Sequence, residues 1–211
     1  MAIESGTTFN SLQVIDKLGK GGNCEVFRAR DTVSERLVAL KILLDSRNVL
    51  RFRREFRSMS HLDHLNIAKV YDYGEYEGKA YFTMEFIDGG DLKQFILRSD
   101  GNGSDKTRFV PKTQDDFTSL SKLFLQICEP LKYIHSQKII HRDLKPANIM
   151  LTREGVVKLM DFGLIKELDV IQESLTQTGT FVGTVNYMSP EQGLCRNLDH
   201  RSDIYSLGII L

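Results

Sequence analysis

Apolar positions along the chain change their period several times, and each change marks an element. Val38 to Leu43 reads Val-Ala-Leu-Lys-Ile-Leu, a β-branched and aliphatic run between charged turns, which predicts a strand buried on both faces. Residues two apart on a strand share a face, so Lys41 points where Ala39 points. An edge lysine that reaches back to water is the plain alternative, and an acidic partner decides between them. Between Asn48 and Leu62 the period lengthens: Val49, Phe52, Phe56 and Met59 recur at helical spacing. Arg51, Arg53, Arg54 and Arg57 fall on the other faces and read as a solvated surface. Glu55 lies on the apolar stripe, and a carboxylate carried toward a core is costly unless paired. Lys41 is its natural counter-ion.

Downstream, Tyr81 to Asp91 reads as a strand ending in a glycine-containing connector. From Arg98 to Phe117 the chain turns polar and loses its period, which predicts a mobile surface loop, not a domain boundary. Leu120, Leu123, Phe124, Ile127, Leu131 and Ile134 then mark a long core helix. Pro130 removes an amide there and crowds the Gln126 carbonyl, so a kink is expected. Near Asp203 another helix opens, with Ile204, Leu207, Ile209, Ile210 and Leu211 supplying its apolar side chains.

Composition narrows the class. A chain of 211 residues, 41% hydrophobic and 27% charged, can bury the core of one large domain or of two small lobes. Lysine plus arginine equals aspartate plus glutamate at 28 each, so no global field favours nucleic acid or an anionic membrane. Any phosphate binding has to be local. No apolar run approaches the roughly 18 residues that span a bilayer, and Met1 to Ser5 lacks a leader pattern, so a cytoplasmic placement is expected. Cys24, Cys128 and Cys195 lie far apart, which supports neither a disulfide framework nor a zinc site.

The chemistry concentrates in His141-Arg142-Asp143-Leu144-Lys145-Pro146-Ala147-Asn148-Ile149-Met150, followed by Asp161-Phe162-Gly163. Each polar residue alone is an ordinary turn-former. Together they resemble the catalytic core of the eukaryotic-type protein kinases, whose signature set is a handful of such motifs, and the resemblance covers nearly the whole chain. It implies an α+β bilobal fold: an N-lobe over residues 1–87 with an antiparallel sheet and one helix, and a mainly helical, incomplete C-lobe over 88–211. It also implies ATP and Mg2+ as cofactors. Asp143 would accept or orient the acceptor's hydroxyl proton, Lys145 would stabilise charge on the transferring group, and Asn148 and Asp161 would hold magnesium. Lys145-Pro146 is similar to the serine/threonine branch, and so implies proteins bearing serine or threonine as substrates.

Upstream, Leu18-Gly19-Lys20-Gly21-Gly22-Asn23-Cys24-Glu25-Val26 precedes a strand and not a helix. On its own this is a hairpin turn, and it disfavours a dinucleotide fold. By resemblance it is the hairpin that covers the phosphates, with Cys24 in place of the third glycine. Leu18, Gly19, Gly21, Gly22, Val26, Ala39 and Met150 would then surround the nucleotide, and Lys41 paired with Glu55 would orient its phosphates. Met84 would be the gatekeeper, and the backbone from Glu85 to Ile87 would bond adenine. Met59, Val70, His141 and Phe162, anchored on Asp203, would form an apolar column.

Asp161 to Glu191 resembles an activation segment, ending Ser189-Pro190-Glu191 where the family commonly has alanine first. Thr176, Thr178 and Thr180 are its candidate phosphorylation sites, with Arg142 able to pair with a phosphothreonine. A solvated threonine-rich loop is the bland alternative. The Thr-Gln-Thr pattern and Ser-Pro-Glu-Gln resemble bacterial receptor-type serine/threonine kinases, which implies self-association for phosphorylation between copies. No nucleic-acid partner and no membrane segment are expected in this stretch. In the family, later helices cover the one that opens at Asp203 and supply an arginine for Glu191. Without them the apolar face and the carboxylate are expected to lack partners, leaving the 211-residue chain poorly folded and weakly active. The rival reading is a truncated nucleotide-binding regulatory or scaffold module without turnover.

Overall fold

The computed structural model describes residues 3–21, 23–99, 106–108, 111–162 and 185–210, with backbone only at 97–99, 106–108 and 185. The chain divides into two compact units: Met1–Asp63 with Ala68–Ile87, and His64–Ile67 with Asp88–Leu211.

The first unit is one antiparallel sheet and a helix. Its strands are β1 (Thr8–Phe9), β2 (Leu12–Gly21), β3 (Cys24–Asp31), β4 (Leu37–Leu43), β5 (Val70–Tyr76) and β6 (Lys79–Glu85), in the spatial order β1-β2-β3-β4-β6-β5. Six of the seven residues of β4 are buried, the pattern of a central strand covered on both faces. Alternate residues of β2, β3 and β4, including Val14, Phe27, Ala29, Val38, Leu40 and Ile42, close one core with Phe9, Leu12 and Tyr81. Each large side chain removed from water there contributes about 1.5–3 kcal/mol. Helix α1 (Val49–Ser60) buries Phe52, Glu55 and Met59. Its aromatic residues meet the sheet, with Phe52 and Phe82 ring centres 4.8 Å apart and Phe56 and Tyr73 5.6 Å apart.

The second unit carries a three-stranded sheet of β11 (Val157–Leu159), β10 (Ile149–Thr152) and β7 (Gly89–Asp91). Glycine is required at Gly89, where a Cβ would fall 1.8 Å from the Leu151 carbonyl oxygen across the β7–β10 pair. Among the described residues its helices are α2 (Leu92–Ile96), α3 (Gln114–Ser136), α4 (Pro190–Gly193) and α5 (Arg201–Ile210).

Several expectations change here. The described part of 98–117 is not a featureless loop: β8 (Leu97–Ser99) pairs with β9 (Lys106–Arg108), and α3 starts at Gln114. Thr113 and Asp116 form a reciprocal capping box that fixes that start, a polar signal that apolar periodicity does not register. The expected long core helix does form, with the buried Pro130 inside it and its end at Ser136. On α5, Leu207 and Ile210 are buried while Ile204 and Ile209 are exposed, so only part of the expected bare apolar face exists. Glu191 has a partner after all, since the Ser202 hydroxyl donates to its Oε1 at 2.5 Å. No helix among the described residues is long and apolar enough to cross a membrane.

Candidate active site

In the first unit, β4 and α1 bring the two buried charges together. Lys41 Nζ lies 2.7 Å from Glu55 Oε1, with side chains 11% and 7% exposed. The Lys41 ammonium also sits 5.5 Å from the centre of the Phe82 ring, where the ring's negative face adds to its stabilisation. Ala39 is buried on the same strand. Leu18, Gly19 and Gly21 lie on β2 and Val26 on β3, in a hairpin whose register pairs Gly19 with Val26 and Gly21 with Cys24. Gly22 falls outside the described residues. Met84 is buried at the end of β6, where the Glu85 amide donates to the Lys69 carbonyl at 2.7 Å, and Ile87 is buried just beyond.

In the second unit the loop after α3 is built around Asp203 of α5. Its Oδ2 accepts the His141 amide at 2.8 Å and lies 2.7 Å from His135 Nε2, and its Oδ1 accepts the Arg142 amide at 2.9 Å. A single buried carboxylate thus satisfies two consecutive backbone donors that no strand or helix serves. The bond to Arg142 stabilises a positive φ of 65°, a region that non-glycine residues avoid. The fully buried His141 ring stacks 4.8 Å from Phe162. Its Nδ1 accepts the Asp143 amide at 3.3 Å and its Nε2 faces the Met160 carbonyl at 3.0 Å, which assigns the proton to Nε2. Burial holds the His141 pKa below the ordinary histidine value, against the pull of Asp203 and Asp143, so the ring is the neutral acceptor this arrangement needs.

Asp143 follows. Its Oδ2 accepts from Lys145 Nζ at 2.8 Å and from Asn148 Nδ2 at 3.1 Å, and its carbonyl takes a second bond from Asn148 Nδ2 at 2.8 Å. The Asn148 amide nitrogen is committed inward, which makes Oδ1 the atom with ligand character. Met150 lies on β10. Asp161 has φ 51°, a second non-glycine residue in the left-handed region beside polar chemistry. Met59 and Val70 are buried within the first unit. Thr176, Thr178 and Thr180 lie outside the described residues, as does Gly163.

One residue of the site was not singled out by sequence reasoning. Gln192 of α4 is buried, and its Nε2 donates to the Arg142 carbonyl at 2.7 Å. The available signal was the Ser189-x-x-Gln192 spacing, a capping-box signature.

A carboxylate clamped by a lysine and an asparagine in a strained loop, and a buried lysine–glutamate pair on a sheet-and-helix unit, are features that protein kinases share. The chain belongs to the protein kinase domain family, whose model matches residues 12–211. It is 39% identical over 216 aligned residues to the probable serine/threonine-protein kinase PknB of Lactococcus lactis, covering 99% of this chain and 32% of that protein. It is 40% identical over 205 residues to serine/threonine-protein kinase PknB of Mycobacterium leprae, covering 93% of this chain and 31% of that one. The chain therefore spans about a third of the length of these curated relatives. Among solved structures it is similar to the PknI kinase domain of Mycobacterium tuberculosis, with TM-score 0.72 and 27% identity over 99% of this chain and 74% of the other. The α+β kinase-like fold is thus shared with known kinase domains.

Proposed function

We propose that the protein transfers the γ-phosphate of ATP to serine and threonine hydroxyls of protein substrates. The observation that carries this reading is the Asp143 carboxylate held by Lys145 and Asn148. Phosphoryl transfer asks a protein chiefly to align a hydroxyl and neutralise charge. Asp143 has the reach to orient the acceptor's hydroxyl and take its proton, while the Lys145 ammonium stays beside it to meet charge on the transferring group. The first unit supplies Lys41, held in place by Glu55, to hold phosphate oxygens. A Cβ at Gly19 or Gly21 would meet nothing within 4 Å, so packing does not demand glycine at either position. Close approach of a phosphate to the backbone gives these glycines a reason.

The metal that fits is magnesium. Among the described residues no cluster of three or more His, Cys, Asp or Glu exists. An Asn148 oxygen and the Asp161 carboxylate make a hard, sparse donor set of the kind that suits an ion which keeps waters and phosphate oxygens as its other ligands. Bound there, magnesium would supply neutralisation of phosphate charge. Regulation follows from Arg142, whose Nε is buried with no hydrogen-bond partner among the described residues. A phosphothreonine at Thr176, Thr178 or Thr180 has the charge and acceptors to pair with it. Phosphorylation between copies and a cytoplasmic location of this region complete the proposal.

Incubating the whole protein with radiolabelled ATP and magnesium should label serine or threonine in an acceptor protein, and mass spectrometry should find phosphate within Thr176 to Thr180. Label confined to tyrosine, or none at all, would overturn the proposal. Fully active protein unmodified at all three threonines would overturn its regulatory part.

A further inference from the structure

Asp143 is presented by a peptide plane whose neighbours are unusual. The plane between Arg142 and Asp143 carries the Arg142 carbonyl on one edge and the Asp143 amide on the other. The amide is held by His141 Nδ1 at 3.3 Å, and the carbonyl by Gln192 Nε2 at 2.7 Å. Rotation of this plane would swing the Asp143 side chain. Asp203 fixes the preceding plane through the Arg142 amide, so His141 and Gln192 are the side chains that hold this one on either edge of the strained residue, Gln192 by the shorter bond.

Gln192 is itself oriented without ambiguity. The Ser189 amide donates to its Oε1 at 3.0 Å, so its NH2 has to face the Arg142 carbonyl. Its own amide faces the Ser189 hydroxyl at 3.4 Å, closing the capping box of α4. The side chain is 4% exposed and Ser189 1%, so water does not compete for these bonds. Capping explains a glutamine or a glutamate at this position equally well, because either accepts from the Ser189 amide. Only glutamine also donates to a carbonyl.

We propose that Gln192 is a positioning residue for phosphoryl transfer, holding the Arg142–Asp143 peptide plane and with it the Asp143 carboxylate. The inference rests on the kinase reading above and assigns Gln192 no contact with substrate. Gln192→Glu separates it from a structural role, since glutamate keeps the capping box and removes the donor to the Arg142 carbonyl. In the whole protein, Gln192→Glu should melt somewhat lower, because it buries a carboxylate against a carbonyl oxygen, so kcat is measured well below the transition of every variant. The substitution should lower kcat about tenfold or more, the scale of a small misplacement of a reacting group, with the KM for ATP within about twofold. Gln192→Met, which loses both bonds, should match that fall in kcat and melt lower. Hydrogen exchange of the segment 141–148 reads the tie without turnover and should quicken in both variants. Unchanged kcat in Gln192→Glu, or unchanged exchange, overturns the proposal. A wild type without transfer would instead sink the kinase reading, while exchange still reports whether Gln192 holds the loop.

Discussion

Lys41 and Glu55 show how much one pair of residues can reveal. Each broke the pattern around it, a lysine inside a buried strand and a glutamate on an apolar helix stripe, and the structure joins them at 2.7 Å. Removing one partner leaves a buried charge unmatched, which costs about 3–5 kcal/mol, whereas removing both costs much less. Lys41→Met and Glu55→Leu should each destabilise the protein by about 3 kcal/mol or more, and the double variant by clearly less than their sum. Urea unfolding of the four proteins measures this, and strict additivity would show that the pair is not coupled. Gln192 was harder to read. Its local capping bond follows from spacing to Ser189, but its bond to the Arg142 carbonyl joins positions 50 residues apart and depends on the fold. Glu191 was misjudged for a similar reason: its partner, Ser202 at the start of α5, lies 11 residues further along the chain.

At the scale of elements, periodicity located β4, α1 and the body of α3 because each has one apolar face set against a core. It missed β8 and β9, whose Arg98, Ser99, Lys106 and Thr107 carry no apolar alternation, and the three-residue β7, whose Gly89-Gly90-Asp91 is too short and too glycine-rich to show a period. Polar signals governed those boundaries. The entry to α5 is one such signal with a measurable consequence. Asp199 accepts from the Arg201 amide at 2.9 Å and its guanidinium at 2.7 Å, and these bonds, the guanidinium's first, pull its pKa down to about 2. The unfolded chain, with an ordinary value near 3.9, binds this proton first. The contribution is therefore fully present above about pH 4 and is lost as pH falls toward about 2. Asp199→Asn should flatten the fall in urea midpoint across that window without abolishing it, because the Glu191 pKa is also lowered by the Ser202 bond. An unchanged slope in the variant would show that Asp199 does not contribute.

For the whole molecule, the proposed function would draw on both units. The first holds a lysine paired with a buried carboxylate, and the second holds Asp143, Lys145 and Asn148 in a loop pinned by Asp203. The motif residues near Asp143 were legible because kinases share them in a fixed order. The Asp203 anchor of His141, 62 residues away, was legible only through the resemblance, and the bond from Gln192 to the Arg142 carbonyl was not legible at all. Partition of roles is the central claim: Asp143 acts on the acceptor hydroxyl, and the nucleotide is bound by other groups. Measuring the transfer rate and the ATP dissociation constant for Asp143→Asn beside the wild type tests it most directly. The account predicts a rate lowered on the order of a hundredfold or more, the scale of a positioned acid–base group, with nucleotide affinity held within a fewfold. A variant that transfers phosphate at the wild-type rate, or that loses activity only through lost ATP binding, would contradict it.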